Sequence, residues 1–103
     1  MEPMVQKYLL EQNIRANYKG FLYLTVAIVL QIQYYIQKPI RLHPLMQLYR
    51  EVGARFGVTH RCVDGCIKKV LDVSLKNHVE NGIFIKNATR FLYQQITSKV
   101  QKD

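Results

Sequence analysis

The most constraining feature of the sequence is an apolar segment in its first third. Residues 21–30 are apolar except for Thr25, and at helical spacing they surround a helix on nearly all sides. A membrane-spanning helix needs about 20 such residues, and the segment is followed by Gln31, Gln33 and two tyrosines instead of a signal-peptide cleavage site. Pro39 disfavours helix at the residue before it. We therefore predict a buried central helix over 18–37.

Apolar residues recur at helical spacing along the rest of the chain, and few windows alternate with the period of two that marks strands. The predicted helices are 3–12, 18–37, 44–56, 60–77 and 88–100, with 78–86 as a loop around an Asn81-Gly82 turn. We expect the last helix to pack down through Ala88, Phe91, Leu92 and Ile96, and Lys99 and Lys102 to form a solvated tail. The expected fold class is all-α, a compact bundle of about five helices.

The charge balance narrows the class of partner. Fifteen Lys and Arg against seven Asp and Glu give 103 residues a formal net charge of +8. A small basic protein favours a polyanionic partner, with nucleic acid ahead of an anionic membrane surface. The length suits one domain, and a hydrophobic content of 49% is enough for a core, which argues against disorder and against a multidomain enzyme.

The predicted helices 44–56 and 60–77 form a helix-turn-helix pattern. Gly57 is expected to end the first helix in the left-handed conformation, and Thr59 to cap the second. The second helix of such a motif offers its N-terminal half to the major groove, and here it carries His60, Arg61, Asp64, Lys68 and Lys69. Arg reads guanine, Lys pairs with guanine or phosphate, and Asp accepts from cytosine. Candidates for phosphate contacts are Lys19, Arg50, Arg55, Lys86 and Arg90.

Three segments of the sequence resemble one bacterial family. Residues 16–24 are close to Ala-x-x-Lys-Gly-Tyr-x-Tyr-Leu, and residues 48–59 resemble Leu-Tyr-Pro-x-Ile-Ala-x-x-Phe-x-Thr-Thr. Residues 63–73 repeat an order of Val, an acidic residue, Ile, paired basic residues and another acidic residue. The family is the C-terminal DNA-binding domain of the sporulation response regulator, stage zero sporulation protein A. The resemblance covers about residues 8–100.

The resemblance implies an all-helical domain that binds double-stranded DNA sequence-specifically and regulates transcription during sporulation. Carried over by position, the DNA-contacting residues of the family fall on Arg61, Cys62, Asp64, Gly65, Lys68 and Lys69. Cys62 and Gly65 replace family arginines, and Lys68 replaces an arginine and loses its planar fork, so the same target sequence is not expected. We expect residues 1–103 to be a single DNA-binding domain without the receiver domain that precedes it in the family.

The sequence lacks patterns typical of catalysis or of metal binding. The acidic residues are scattered, and no Ser, His and Asp constellation or Gly-rich phosphate loop stands out. Cys62 and Cys66 lie four residues apart near His60, but structural zinc needs four ligands. We expect Cys66 to be a small buried residue and Cys62 a partly exposed one. We predict no enzyme activity, no cofactor and no metal.

The predicted partner is double-stranded DNA, bound by a cytoplasmic protein that has no membrane association. A second copy, or a related regulator, is a further expected partner in a dimer. The alternative is a protein-interaction module that modulates a full-length regulator without binding an operator itself. Sequence-dependent affinity for duplex DNA distinguishes the two hypotheses.

Overall fold

Helices account for nearly all of the regular structure in the computed structural model, which describes residues 1–39 and 41–101, the last three by backbone alone. The helices are α1 (Glu2–Glu11), α2 (Lys19–Gln37), α3 (Leu45–Phe56), α4 (His60–Ser74) and α5 (Asn81–Gln101). No strand occurs in those ranges. The predicted all-α bundle of about five helices is confirmed. The predicted tail residue Lys102, and the side chain of Lys99, lie outside the described residues.

α2 is the central helix, as the apolar segment predicts. Ten of its residues are buried, and it packs against each of the other four helices. By length and composition alone α2 passes as a candidate membrane span, but in this fold the surrounding helices cover most of its apolar surface. The backbone leaves the helix at Lys38, with φ −139° and ψ 87°, where Pro39 was expected to end it.

The predicted end of α4 is wrong by three residues. The helix ends at Ser74 and not at residue 77, because Leu75 takes an extended conformation with φ −105° and ψ 142°. The half-buried Leu75 side chain packs against the core. The Ser74 hydroxyl accepts a hydrogen bond from the backbone N–H of Arg15, 3.0 Å away. Core packing thus turns the chain out of the helix.

The predicted start of α5 is wrong by seven residues. The segment 81–86 was expected to be a loop, yet α5 begins at Asn81. Phe84 and Ile85 are buried in the core, one turn before the buried Ala88 on the same helix. Burial of these side chains favours helix over the turn that Asn81-Gly82 predicts locally.

The expected packing of α5 holds for Ala88 and Leu92, which are buried, but not for Phe91. Phe91 is 48% exposed. Its ring meets the ring of Tyr8 on α1 in a tilted arrangement, with centroids 5.4 Å apart. Phe91 also lines an open groove between α1 and α5.

Candidate nucleic-acid interface

The turn between α3 and α4 has the tight geometry of a helix-turn-helix. Gly57 is left-handed, with φ 70° and ψ 31°, as its position predicts. The backbone N–H of Val58 donates to the carbonyl oxygen of Gly53, 2.9 Å away. A Cβ atom at Gly53 would collide with the Val58 carbonyl oxygen. Both glycines are therefore needed for the chain to reverse so closely.

The start of α4 is defined by a side-chain cap. The Thr59 hydroxyl oxygen accepts a hydrogen bond from the backbone N–H of Cys62, 3.1 Å away, so the predicted cap is confirmed. The inward side of α4 is almost completely buried, through Val63, Ile67, Val70 and Leu71. The buried stripe leaves the remaining surface of the helix for contact with a partner.

The start of α3 is anchored to α2. The buried side-chain amide of Gln31 donates to the His43 carbonyl oxygen, 3.0 Å away, and accepts from the His43 backbone N–H, 2.9 Å away. The ring of Tyr34 stacks on the imidazole of His43, with centroids 3.9 Å apart. The Tyr34 hydroxyl donates to the carboxylate of Glu51 on α3. These contacts hold the first helix of the motif in place.

The sequence-predicted residues lie on the solvent side of the motif. The exposed ones on α4 are Arg61, Cys62, Asp64, Gly65, Lys68 and Lys69, and those on α3 are Arg50 and Arg55. His60 is half-buried. Cys66 was expected to be buried but is half-buried, because it lies at the edge of the packed side of α4.

A shallow cleft of about 460 Å³ separates the N-terminal ends of α3 and α4. Its walls are Leu45, Met46, Tyr49, His60, Arg61 and Asp64. The cleft brings three of the predicted residues together, beside the exposed Met46. Lys68 borders a neighbouring cleft that it shares with Asp64. Arg50 and Arg55 lie outside both clefts.

Lys19 lies beside α4 although it belongs to α2. Burial raises the pKa of the Cys66 thiol, and its interaction with Cys62 raises it further, whereas the positive charges of Lys19 and Lys69 oppose the shift. The closeness comes from Gly20, where a Cβ atom would lie 2.7 Å from the carbonyl carbon of Cys66. The start of α2 thus adds a lysine to the cationic surface of α4. Within the described ranges, no group of three or more His, Cys, Asp or Glu residues is placed to hold a metal ion.

Three helices meet in a polar cluster that sequence reasoning missed, formed by Tyr49, Asp64 and Asn81. The side-chain amide of Asn81 donates to the Asp64 carbonyl oxygen and to its Oδ1, both 3.1 Å away. Burial raises the pKa of Tyr49 to about 12, the Asn81 amide opposes this, and the Asp64 carboxylate adds to it. The Asn81-Gly82 pair predicts a turn, so nothing in the local sequence indicates this contact.

Comparison with known proteins identifies one family. The family of sporulation initiation factor Spo0A C-terminal domains matches residues 5–102. That range begins in the first turn of α1 and includes α2 to α5 and the whole motif. Comparison with curated proteins gives no match. The resemblance seen in the three sequence segments is confirmed, and the chain belongs to the Spo0A C-terminal domain family.

Proposed function

We propose that this protein binds double-stranded DNA sequence-specifically through α4 and acts as a transcriptional regulator in the cytoplasm, not as an enzyme. The observation that carries the proposal is the division of α4 into two sides. Val63, Ile67 and their buried neighbours pack against the bundle, and the opposite side exposes Arg61, Lys68 and Lys69. A cationic helix at the outer side of a helix-turn-helix suits the major groove.

The proposed roles follow from side-chain chemistry. Arg61 reads guanine through two hydrogen bonds, and Asp64 accepts from the amino group of cytosine. Lys68 and Lys69 pair with guanine or with phosphate. Contacts with the phosphate backbone come from Lys19, Arg50 and Arg55, and the net charge of +8 speeds the approach to DNA.

The two small exposed residues of α4 set the distance to the bases. Gly65 has open space around the position of a Cβ atom, and Cys62 carries a short side chain. Neither offers the planar fork of arginine, so they add little hydrogen bonding to bases. They let the backbone of α4 lie close to the floor of the groove.

The proposal is tested with a random-sequence duplex pool at moderate salt, from which retained DNA is sequenced and its affinity measured. We expect an enriched motif. Lys68→Ala should weaken binding to that motif about fivefold or more, since a base contact contributes roughly 1–3 kcal/mol. Each lost phosphate contact should also reduce the salt slope by about 0.9.

Lys7→Ala is the matched control. Lys7 is also exposed, but it lies on α1 and borders the groove between α1 and α5. This variant should bind like wild type. Equal losses for Lys68→Ala and Lys7→Ala would contradict the proposed binding surface, and binding without an enriched motif would leave only a non-specific basic protein.

A second function, protein interaction without operator binding, is favoured by the groove between α1 and α5. Its walls include Phe91 on α5, which is 48% exposed, and the half-buried Met4 and Tyr8 on α1. This surface suits a second copy of the chain or a related regulator. Absence of duplex binding, together with a change in oligomeric state on Phe91→Ser, would favour this function over the first.

A further inference from the structure

One side chain outside the helix-turn-helix holds a residue of α4 at two points. The Asn81 amide nitrogen, at the start of α5, donates to the Asp64 carbonyl oxygen and to Asp64 Oδ1, each 3.1 Å away. A side-chain amide has two N–H groups, so one hydrogen is available for each acceptor. The backbone and the carboxylate of Asp64 are thereby fixed relative to each other.

The second carboxylate oxygen of Asp64 is left for a partner. Asp64 is exposed, and no other side chain among the described residues donates to it. Behind it, the Tyr49 hydroxyl is buried and has no hydrogen-bond partner in the described part of the chain. The Asp64 carboxylate lies close enough to this hydroxyl to add to the raised pKa of Tyr49. The exposed side of Asp64 borders the clefts that Arg61 and Lys68 also line.

We infer that Asn81 is a positioning residue for sequence reading, because it holds the Asp64 carboxylate with one oxygen directed at the base edge. The inference rests on the proposed function. Hydrogen bonds weaken steeply when donor and acceptor are misaligned, so a carboxylate free to rotate would discriminate less well than a fixed one. A contact that only held α4 and α5 together would require a hydrogen bond to the backbone carbonyl oxygen of Asp64 and none to its carboxylate.

The chemistry of the second Asp64 carboxylate oxygen determines which base it can contact in the major groove. A carboxylate only accepts hydrogen bonds, and cytosine presents an amino donor in the major groove. Guanine and thymine present acceptor oxygens at the same edge, which a fixed carboxylate repels, and adenine places its N7 acceptor beside its amino donor, which makes adenine a poorer partner than cytosine. The Asn81–Asp64 pair therefore selects cytosine at one position partly by rejecting the alternatives.

The test compares base preference among variants by random-pool selection and by competition with single-base substitutions. Asn81→Ala should reduce the preference for cytosine at one position about five- to tenfold and leave the other positions unchanged. Asp64→Ala should remove that preference, and the double variant should match Asp64→Ala alone. Asn87→Ala is the control, since Asn87 is exposed on the same helix and its side chain makes no hydrogen bond within the described residues.

The Asn81→Asp variant distinguishes an effect on base preference from an effect on the stability of α5. A carboxylate suits the N-terminus of a helix, but it repels Asp64 and should reduce the cytosine preference at least as much as Asn81→Ala. Unchanged base preference in both Asn81 variants would overturn the inference and leave the proposed function standing. An equal loss of base preference at every position of the motif would do the same. If wild type selects no motif, the proposed function fails and the inference fails with it.

Discussion

Gly20→Ala is the change for which the structure predicts the largest loss of stability with the addition of a single methyl group. A Cβ atom at Gly20 would collide with the carbonyl oxygen of Cys66, and it would lie 2.7 Å from the carbonyl carbon of Cys66 and 2.9 Å from Cγ1 of Val70. Ordinary carbon–carbon contacts are about 3.5–4.0 Å. The contact with the carbonyl carbon alone would require α2 and α4 to separate by about 0.8 Å, and the contact with the carbonyl oxygen requires more.

The magnitude follows from what that separation does to the core. A gap of about 0.5–1 Å forfeits a quarter to a half of the dispersion energy of the atoms on either side, and here both helices contribute fully buried side chains, including Leu24, Ile67 and Val70. Overpacking typically costs about 1–3 kcal/mol. Because the first atoms met are backbone, we expect a loss of about 3 kcal/mol in the free energy of unfolding.

The assay is urea and thermal unfolding of Gly20→Ala beside Gly65→Ala. The first variant should lower Tm by about 12–24 °C, at roughly 4–8 °C per kcal/mol for a domain of this size. Gly65 lies within α4 with open space around a Cβ atom. Its substitution by Ala should therefore raise the free energy of unfolding by about 1 kcal/mol through helix propensity. A Gly20→Ala protein within about 0.5 kcal/mol of wild type would refute the close α2–α4 contact.

Two further predictions concern the motif itself. Thr59→Ala should lower the free energy of unfolding by about 1 kcal/mol by removing the cap of α4, and Thr59→Ser should restore most of it in the same urea titration. Burial raises the pKa of Tyr49 to about 12, above the ordinary value of 10.0, so the folded protein binds this proton more tightly than the unfolded chain. The stabilisation is complete below pH 10 and lost as pH rises through 12, and it amounts to roughly 2–3 kcal/mol. Unfolding of Tyr49→Phe should lack this alkaline loss, and equal pH profiles for the two proteins would contradict the assignment.

Much of the candidate site could be predicted from the sequence because one helix carries it. On α4, burial of Val63 and Ile67 leaves their neighbours Asp64 and Lys68 in solvent, a consequence of helical spacing alone. The Asn81–Asp64 contact could not be predicted, since it joins residues 17 positions apart across the misassigned start of α5. The sequence indicates Lys19 as a candidate for a phosphate contact, but its position beside α4 depends on how closely α2 and α4 approach each other.

The sequence by itself determined the features that act over a few residues. The apolar surface of α2, the left-handed Gly57 and the Thr59 cap follow from spacing and local backbone preference. The tertiary structure alone decided where α4 gives way to α5, how closely Gly20 meets Cys66 and what holds the Asp64 carboxylate. The physical reason is that local propensities differ by less than about 1 kcal/mol per residue, whereas burying a side chain such as Phe84 contributes about 1.5–3 kcal/mol and depends on helices distant in the chain.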